Sequence, residues 1–84
     1  MSKLFREAIK LEVEEDTQHK PIAFLYKRRR EQVRETLKRW RIVQGWWKRP
    51  VMREYFQVRT ASGTVYELYR DLLTGAWRLQ RVYD

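Results

Sequence analysis

Lys27, Arg28, Arg29, Arg30, Arg34, Lys38, Arg39, Arg41, Lys48, Arg49 and Arg53 crowd into one stretch of the chain, with Tyr26, Trp40, Trp46 and Trp47 interleaved among them. Guanidinium and ammonium groups pair with phosphates and aromatic rings stack on bases, so this mixture is the chemistry of a polyanion surface, single-stranded nucleic acid above all. Residues 27–53 hold eleven Lys/Arg against two Asp/Glu, and the flanking segments are close to neutral, so this stretch accounts for the whole net charge of +8. Like charges at that density repel one another unless solvent or an anionic partner screens them. A solvated face is the plainer account of a basic run; the interleaved rings are what favour a ligand surface. If phosphates are the ligand, these cations should share one contiguous positive face. Arg28, Arg29 and Arg30 would then reach out from a hairpin tip, and Trp46 and Trp47 would be the stacking platforms, one buried and one exposed because neighbours in an extended segment point to opposite sides.

Other chemistries find little to work with. The chain has no cysteine and one histidine, His19, which leaves no thiolate zinc site, no cysteine nucleophile and no His-based ligand set. Glu67 with Asp71, or Asp71 with His19, would be the nearest thing to an acid–base pair, but nothing in the spacing gathers them into a pocket. Asp71 reads as a turn residue bonding its own backbone two residues on, and Glu67 as a cross-strand partner of Arg59 or Arg78, or as exposed. The acidic group Glu12, Glu14, Glu15 and Asp16 matches no calcium loop and reads as a solvated edge. No phosphate-binding glycine loop or nucleophile elbow is present. The expectation is a non-enzyme that needs no metal or cofactor.

The elements that must position the basic residues read mostly as strands. Ile9, Leu11 and Val13 alternate with Lys10, Glu12 and Glu14, the period of a half-buried strand. A polar turn over residues 15–20 leads to a second alternation through Ile22, Phe24 and Tyr26. Residues 55–60 and 64–70 flank the turn Ala61-Ser62-Gly63. Asp71 to Gly75 forms the next turn, and residues 76–83 close an antiparallel meander. Bulky residues on both faces of these strands, Tyr66 and Leu68 against Val65 and Tyr69, predict a strongly curled sheet or small, partly open barrel. Residues 29–41 are ambiguous. Val33, Leu37 and Trp40 fall at helical spacing and Glu35 sits four before Arg39, so a short basic helix stands beside a long, bulged strand.

From Pro21 onward the chain resembles a small bacterial family of unknown function. The resemblance rests on Pro21, Phe24, Tyr26, Arg29, Arg30, Val33, Arg34, Glu35, Leu37, Arg39 and Trp40, then Trp46-Trp47, Arg53, Tyr55, Phe56 and Val58. It continues through Gly63, Tyr66-Glu67-Leu68, Asp71, Gly75, Trp77, Leu79 and the ending Arg81-Val82-Tyr83-Asp84. Arg28 stands where relatives have a turn glycine and Glu31 where they have an aromatic. Members occur free-standing and fused to the C-terminal end of ImuB-like, Y-family-polymerase-like subunits of translesion synthesis. The resemblance implies a mainly β domain, with a strand over 29–41, and a setting in bacterial DNA replication or repair.

Together these readings predict one domain over residues 1–84 with five to seven strands. The predicted core is Leu11, Val13, Phe24, Val33, Leu37, Trp40, Phe56, Val58, Leu68, Trp77 and Leu79. The predicted function is a non-catalytic accessory domain binding nucleic acid, DNA ahead of RNA; a module docking on a polymerase-associated protein, or on itself, is the alternative. Arg6, Glu7 and Lys10 interrupt the N-terminal apolar residues, so no signal peptide or membrane span is expected, and the predicted setting is the cytoplasm. An anionic membrane is disfavoured as a partner, since a membrane-lying helix needs a continuous apolar face.

Overall fold

The structure, a computed structural model, describes residues 2–45 and 50–83. These residues form seven strands: β1 (Ser2–Leu11), β2 (Val13–Glu15), β3 (Pro21–Tyr26), β4 (Arg29–Gln44), β5 (Val51–Thr60), β6 (Val65–Asp71) and β7 (Trp77–Tyr83). No helix occurs among them; 29–41 lies within β4. All neighbours are antiparallel, in the order β1-β7-β6-β5-β4-β3-β2.

That order explains the curl. The first and last strands of the sheet, β1 and β2, are separated in the chain by Glu12 alone. The expected N-terminal strand is therefore one run that changes partner midway: Leu11 pairs with Trp77 of β7, and Val13 with Phe24 of β3. The Leu25 N–H donates to the Glu12 carbonyl across the switch, at 3.1 Å. Both edges of the sheet are thus drawn to a single point, and the sheet must curve into a half-barrel.

The curve encloses Phe24, Phe56, Val58, Tyr66, Leu68, Trp77, Leu79 and Val82. Phe24 meets Tyr66 edge-on at 5.0 Å between ring centres, and Phe56 lies 5.4 Å from Trp77. Leu11, Val13 and Val33 pack against this cluster partly buried. Two predicted core residues do not belong to it. Between Val33 and Glu35, and again between Thr36 and Lys38, β4 carries one residue more than β5 opposite it. Arg34 and Leu37 are these extra residues, and a bulged residue is unpaired and turned out of the sheet's regular alternation. Leu37 is accordingly exposed. Trp40 is half-buried on the outer face. The bulges stretch the inner-face repeat of β4 to Val33, Thr36 and Arg39, three residues apart, so the helically spaced Val33, Leu37 and Trp40 do not share a face.

The turns follow their residue types. Asp71 Oδ1 accepts from the Leu73 and Thr74 N–H groups, and Gly75 closes the turn at φ 79°. The β3–β4 turn places Lys27 at φ 52° and Arg28 at φ 64°, both in the left-handed region that favours glycine. Glu31 is buried and accepts from the Ser62 hydroxyl at 3.1 Å. One acidic reading needs correction. Glu67 accepts from the Tyr83 hydroxyl rather than from Arg59 or Arg78, because a bulge in β7 brings Arg81 opposite it while Arg59 pairs with Glu35. Glu12, Glu14, Glu15 and Asp16 are exposed; at that edge Glu14 takes Arg30 at 2.8 Å, and Glu15 accepts from the Trp77 indole at 2.9 Å and pairs with His19.

Candidate nucleic-acid interface

Strand register sorts the basic residues, because side chains directly opposite one another share a face of the sheet. One cross-strand row runs through Arg39, Phe56 and Leu68 and faces the core. The next runs through Arg41, Glu54 and Arg70 on the same side. Between them, on the other side, Trp40 of β4 lies opposite Tyr55 of β5, Tyr55 opposite Tyr69 of β6, Tyr69 opposite Arg78 of β7, and Arg78 opposite Lys10 of β1.

On the inner face the cations are spent on the fold. Glu54 is 8% exposed, and its carboxylate takes Arg39 at 3.0 Å and Arg41 at 3.4 Å. The Arg39 guanidinium also lies over the Phe56 ring at 5.2 Å. Hydrogen bonding from Arg39 holds the Glu54 carboxyl below the usual glutamate range despite its burial. This group covers one end of the core with paired charge. Arg70 and Glu15 extend it at 3.7 Å.

On the outer face the rings form a run. Trp40 stacks on Tyr55 with centres 5.2 Å apart and planes 7° from parallel. Tyr55 meets Tyr69 at 5.0 Å, and the Arg53 guanidinium caps Tyr69 at 4.5 Å while donating to the Tyr55 hydroxyl at 3.3 Å. Tyr55 and Tyr69 are buried by this stacking, so Trp40 is the ring with open surface. Lys38, opposite Gln57, lies on the same side. Neither Lys38 nor Arg53 has a carboxylate within ion-pair distance among the described residues.

The predicted cations do not form one face. Lys38 and Arg53 join the outer row, Arg39 and Arg41 turn inward to Glu54, and Arg30 is held by Glu14. Lys27, Arg28 and Arg29 stand at the β3–β4 tip, and Arg34 at the first bulge. At about 3.3 Å per residue the tip is roughly 35 Å along β4 from Trp40. Trp46, Trp47, Lys48 and Arg49 lie outside the described residues. The sequence reading missed Tyr55, Tyr69, Arg78 and Lys10 as outer-row residues and assigned Trp40 to the core. Their common face emerges only from the register, although Tyr55 and Arg53 share a parity that the composition of β5 displays.

Fold and surface together define a small all-β domain whose curled sheet buries an aromatic core and carries a stacked aromatic–arginine row outside. A family model described as a domain of unknown function, DUF6504, matches residues 1–84, and the chain belongs to that family. No curated protein and no solved structure matches it. No helix among the described residues is long and apolar enough to cross a membrane.

Proposed function

We propose that the domain binds nucleic acid through the outer face of β4, β5 and β6, as a non-catalytic accessory module of bacterial DNA replication or repair in the cytoplasm. The observation that carries this reading is the Trp40–Tyr55–Tyr69 stack bordered by Lys38, Arg53 and Arg78. Stacked rings form a rigid platform, and a half-exposed Trp40 offers a base a π-surface while the neighbouring cations meet its flanking phosphates. Lys27, Arg28 and Arg29 at the distant tip would serve only a longer strand. The resemblance to domains fused to Y-family-polymerase-like subunits supports the DNA setting by association. The test is a tryptophan-fluorescence titration with short single- and double-stranded oligonucleotides at several salt concentrations. Saturable quenching whose affinity falls linearly on a log–log salt plot supports the reading; no binding at low salt overturns it.

A second reading rests on the edge of β4. Its residues 33–44 pair with β5 on one side, and no strand pairs with the other side among the described residues. Such an edge accepts an added strand, so docking on a polymerase-associated protein is the alternative. A partner interface of that kind would respond weakly to salt.

A further inference from the structure

The outer row ends in a cleft that the basic stretch does not account for. Between the pairs Leu4–Arg81 and Ile9–Leu79, four residues of β1 (Phe5, Arg6, Glu7 and Ala8) stand opposite the single residue Gln80 of β7. The excess arches away from the sheet and is fastened at two points. Gln80 Nε2 donates to the Phe5 carbonyl at 3.1 Å, and Arg78 Nη1 donates to the Ala8 carbonyl at 3.2 Å. Under the arch a cleft of about 360 Å³ opens, lined chiefly by Arg6, Glu7, Arg53, Tyr69, Arg78 and Gln80.

Three guanidinium groups and one carboxylate line this cleft. Arg53 is fixed over Tyr69 and tied to the Tyr55 hydroxyl; Arg78 is tied to the arch. Each of these two spends one N–H on the protein, and the remaining donors of its planar fork suit a tetrahedral oxyanion. Neither meets a carboxylate within ion-pair distance among the described residues, and nor does Arg6. Asp71 lies opposite Arg53, but its Oδ1 already accepts two turn N–H groups. Guanidinium groups held in place before binding lose little freedom on meeting an anion, which separates Arg53 and Arg78 in this cleft from the exposed cations of the hairpin tip.

We propose that the cleft under the β1 arch is a phosphate subsite, in which Arg6, Arg53 and Arg78 take one phosphoryl group. This deepens the nucleic-acid reading and rests on it for the source of the phosphate: a strand whose base sits on Trp40 would place a backbone phosphate at the far end of the same row. A free phosphorylated small molecule offers the same group, and the test separates the two sources.

The test compares the parent with Arg6→Gln and with the double variant Arg6→Gln/Arg78→Gln. Arg6 makes no side-chain hydrogen bond among the described residues, so its single variant remains informative if the double variant unfolds. Each protein is titrated with oligothymidylate across a salt series, and its melting temperature is followed with added pyrophosphate. The expected result is about tenfold weaker oligonucleotide binding in the variants, with a salt slope flatter by roughly 0.7–1 unit for the one phosphate lost. Oligonucleotide binding that is equal in parent and variants overturns the subsite and leaves the Trp40 reading standing. A parent that ignores oligonucleotides but is stabilised by pyrophosphate, with the variants not stabilised, supports the subsite with a small-molecule source and overturns the strand reading. A parent that binds neither overturns both.

Discussion

Lys38, Arg39, Trp40 and Arg41 are consecutive residues of one strand, yet they belong to two regions with opposite tasks. Arg39 and Arg41 turn inward, where Glu54 neutralises them and Phe56 lies beneath. Lys38 and Trp40 turn outward, where a ring stacks on Tyr55 and the ammonium group has no ion-pair partner among the described residues. The inner cations stabilise the fold because their charge is already answered. The outer ones add only to an unanswered field, the condition for attracting a polyanion. A positive charge in a sequence therefore says little about binding until its face and its partner are known.

The two tryptophans give the sharpest contrast. Trp77 is 5% exposed, packs on Phe56 and donates to Glu15. Trp77→Ala should cost about 3–5 kcal/mol, read from urea unfolding, because it opens a cavity in the core and removes the indole hydrogen bond to Glu15. Trp40→Ala should cost only about 1–2 kcal/mol, the worth of one stacked, half-exposed ring, while reducing oligonucleotide affinity. Equal losses in the two variants would erase the distinction between the regions.

Glu54 tests the inner region by acid. Its folded pKa is lowered, chiefly by the Arg39 hydrogen bond. The unfolded chain then takes up a proton first as the pH falls. The stabilisation is fully present above the ordinary glutamate value of about 4.3 and is lost as the pH drops through the lower folded value. Glu54→Gln should cost about 1–2 kcal/mol at pH 7, less than a fully buried pair because Arg39 and Arg41 are 38% and 55% exposed. The gap between the two proteins should narrow in acid; a gap that stays constant from pH 7 to pH 3 would remove the ion pair from the account.

The smallest expected effect lies far from both regions. Arg28→Gly should raise stability by up to about 1 kcal/mol in thermal unfolding, since glycine adopts φ 64° without steric cost. A loss of stability would show that the Arg28 side chain contributes to the fold.

Much of this was legible in the chain itself. Alternation at Ile9, Leu11 and Val13, turn residues at Gly63 and Asp71, and bulky residues on both faces of β6 specify an antiparallel, curled sheet. Trp77 and Leu79 fit the alternation of a buried strand and are buried. The partner switch at Glu12 was not legible, because alternation records which face a residue takes and not which strand lies beside it. The bulges at Arg34 and Leu37 were hidden for a related reason: an extra residue shifts parity without changing composition, which is how Leu37 came to be read as core, whereas Trp40 was placed there for its apolar bulk alone. Charge patterning located the basic stretch but left Arg39 and Lys38 indistinguishable, since only the register puts Glu54 beside one of them.

The most direct measurement is therefore the salt dependence of oligonucleotide affinity in two matched double variants, Lys38→Gln/Arg53→Gln and Arg39→Gln/Arg41→Gln. Each removes two charges from one face of the β4–β5 pair. The outer pair should flatten the salt slope by roughly 1.5–2 units, with a loss in melting temperature smaller than the inner pair's and due to the Arg53 contacts with Tyr69 and Tyr55. The inner pair should lower the melting temperature and leave the slope as in the parent. The reverse assignment, or equal flattening by both, would contradict the division of the strand into a structural and a binding face.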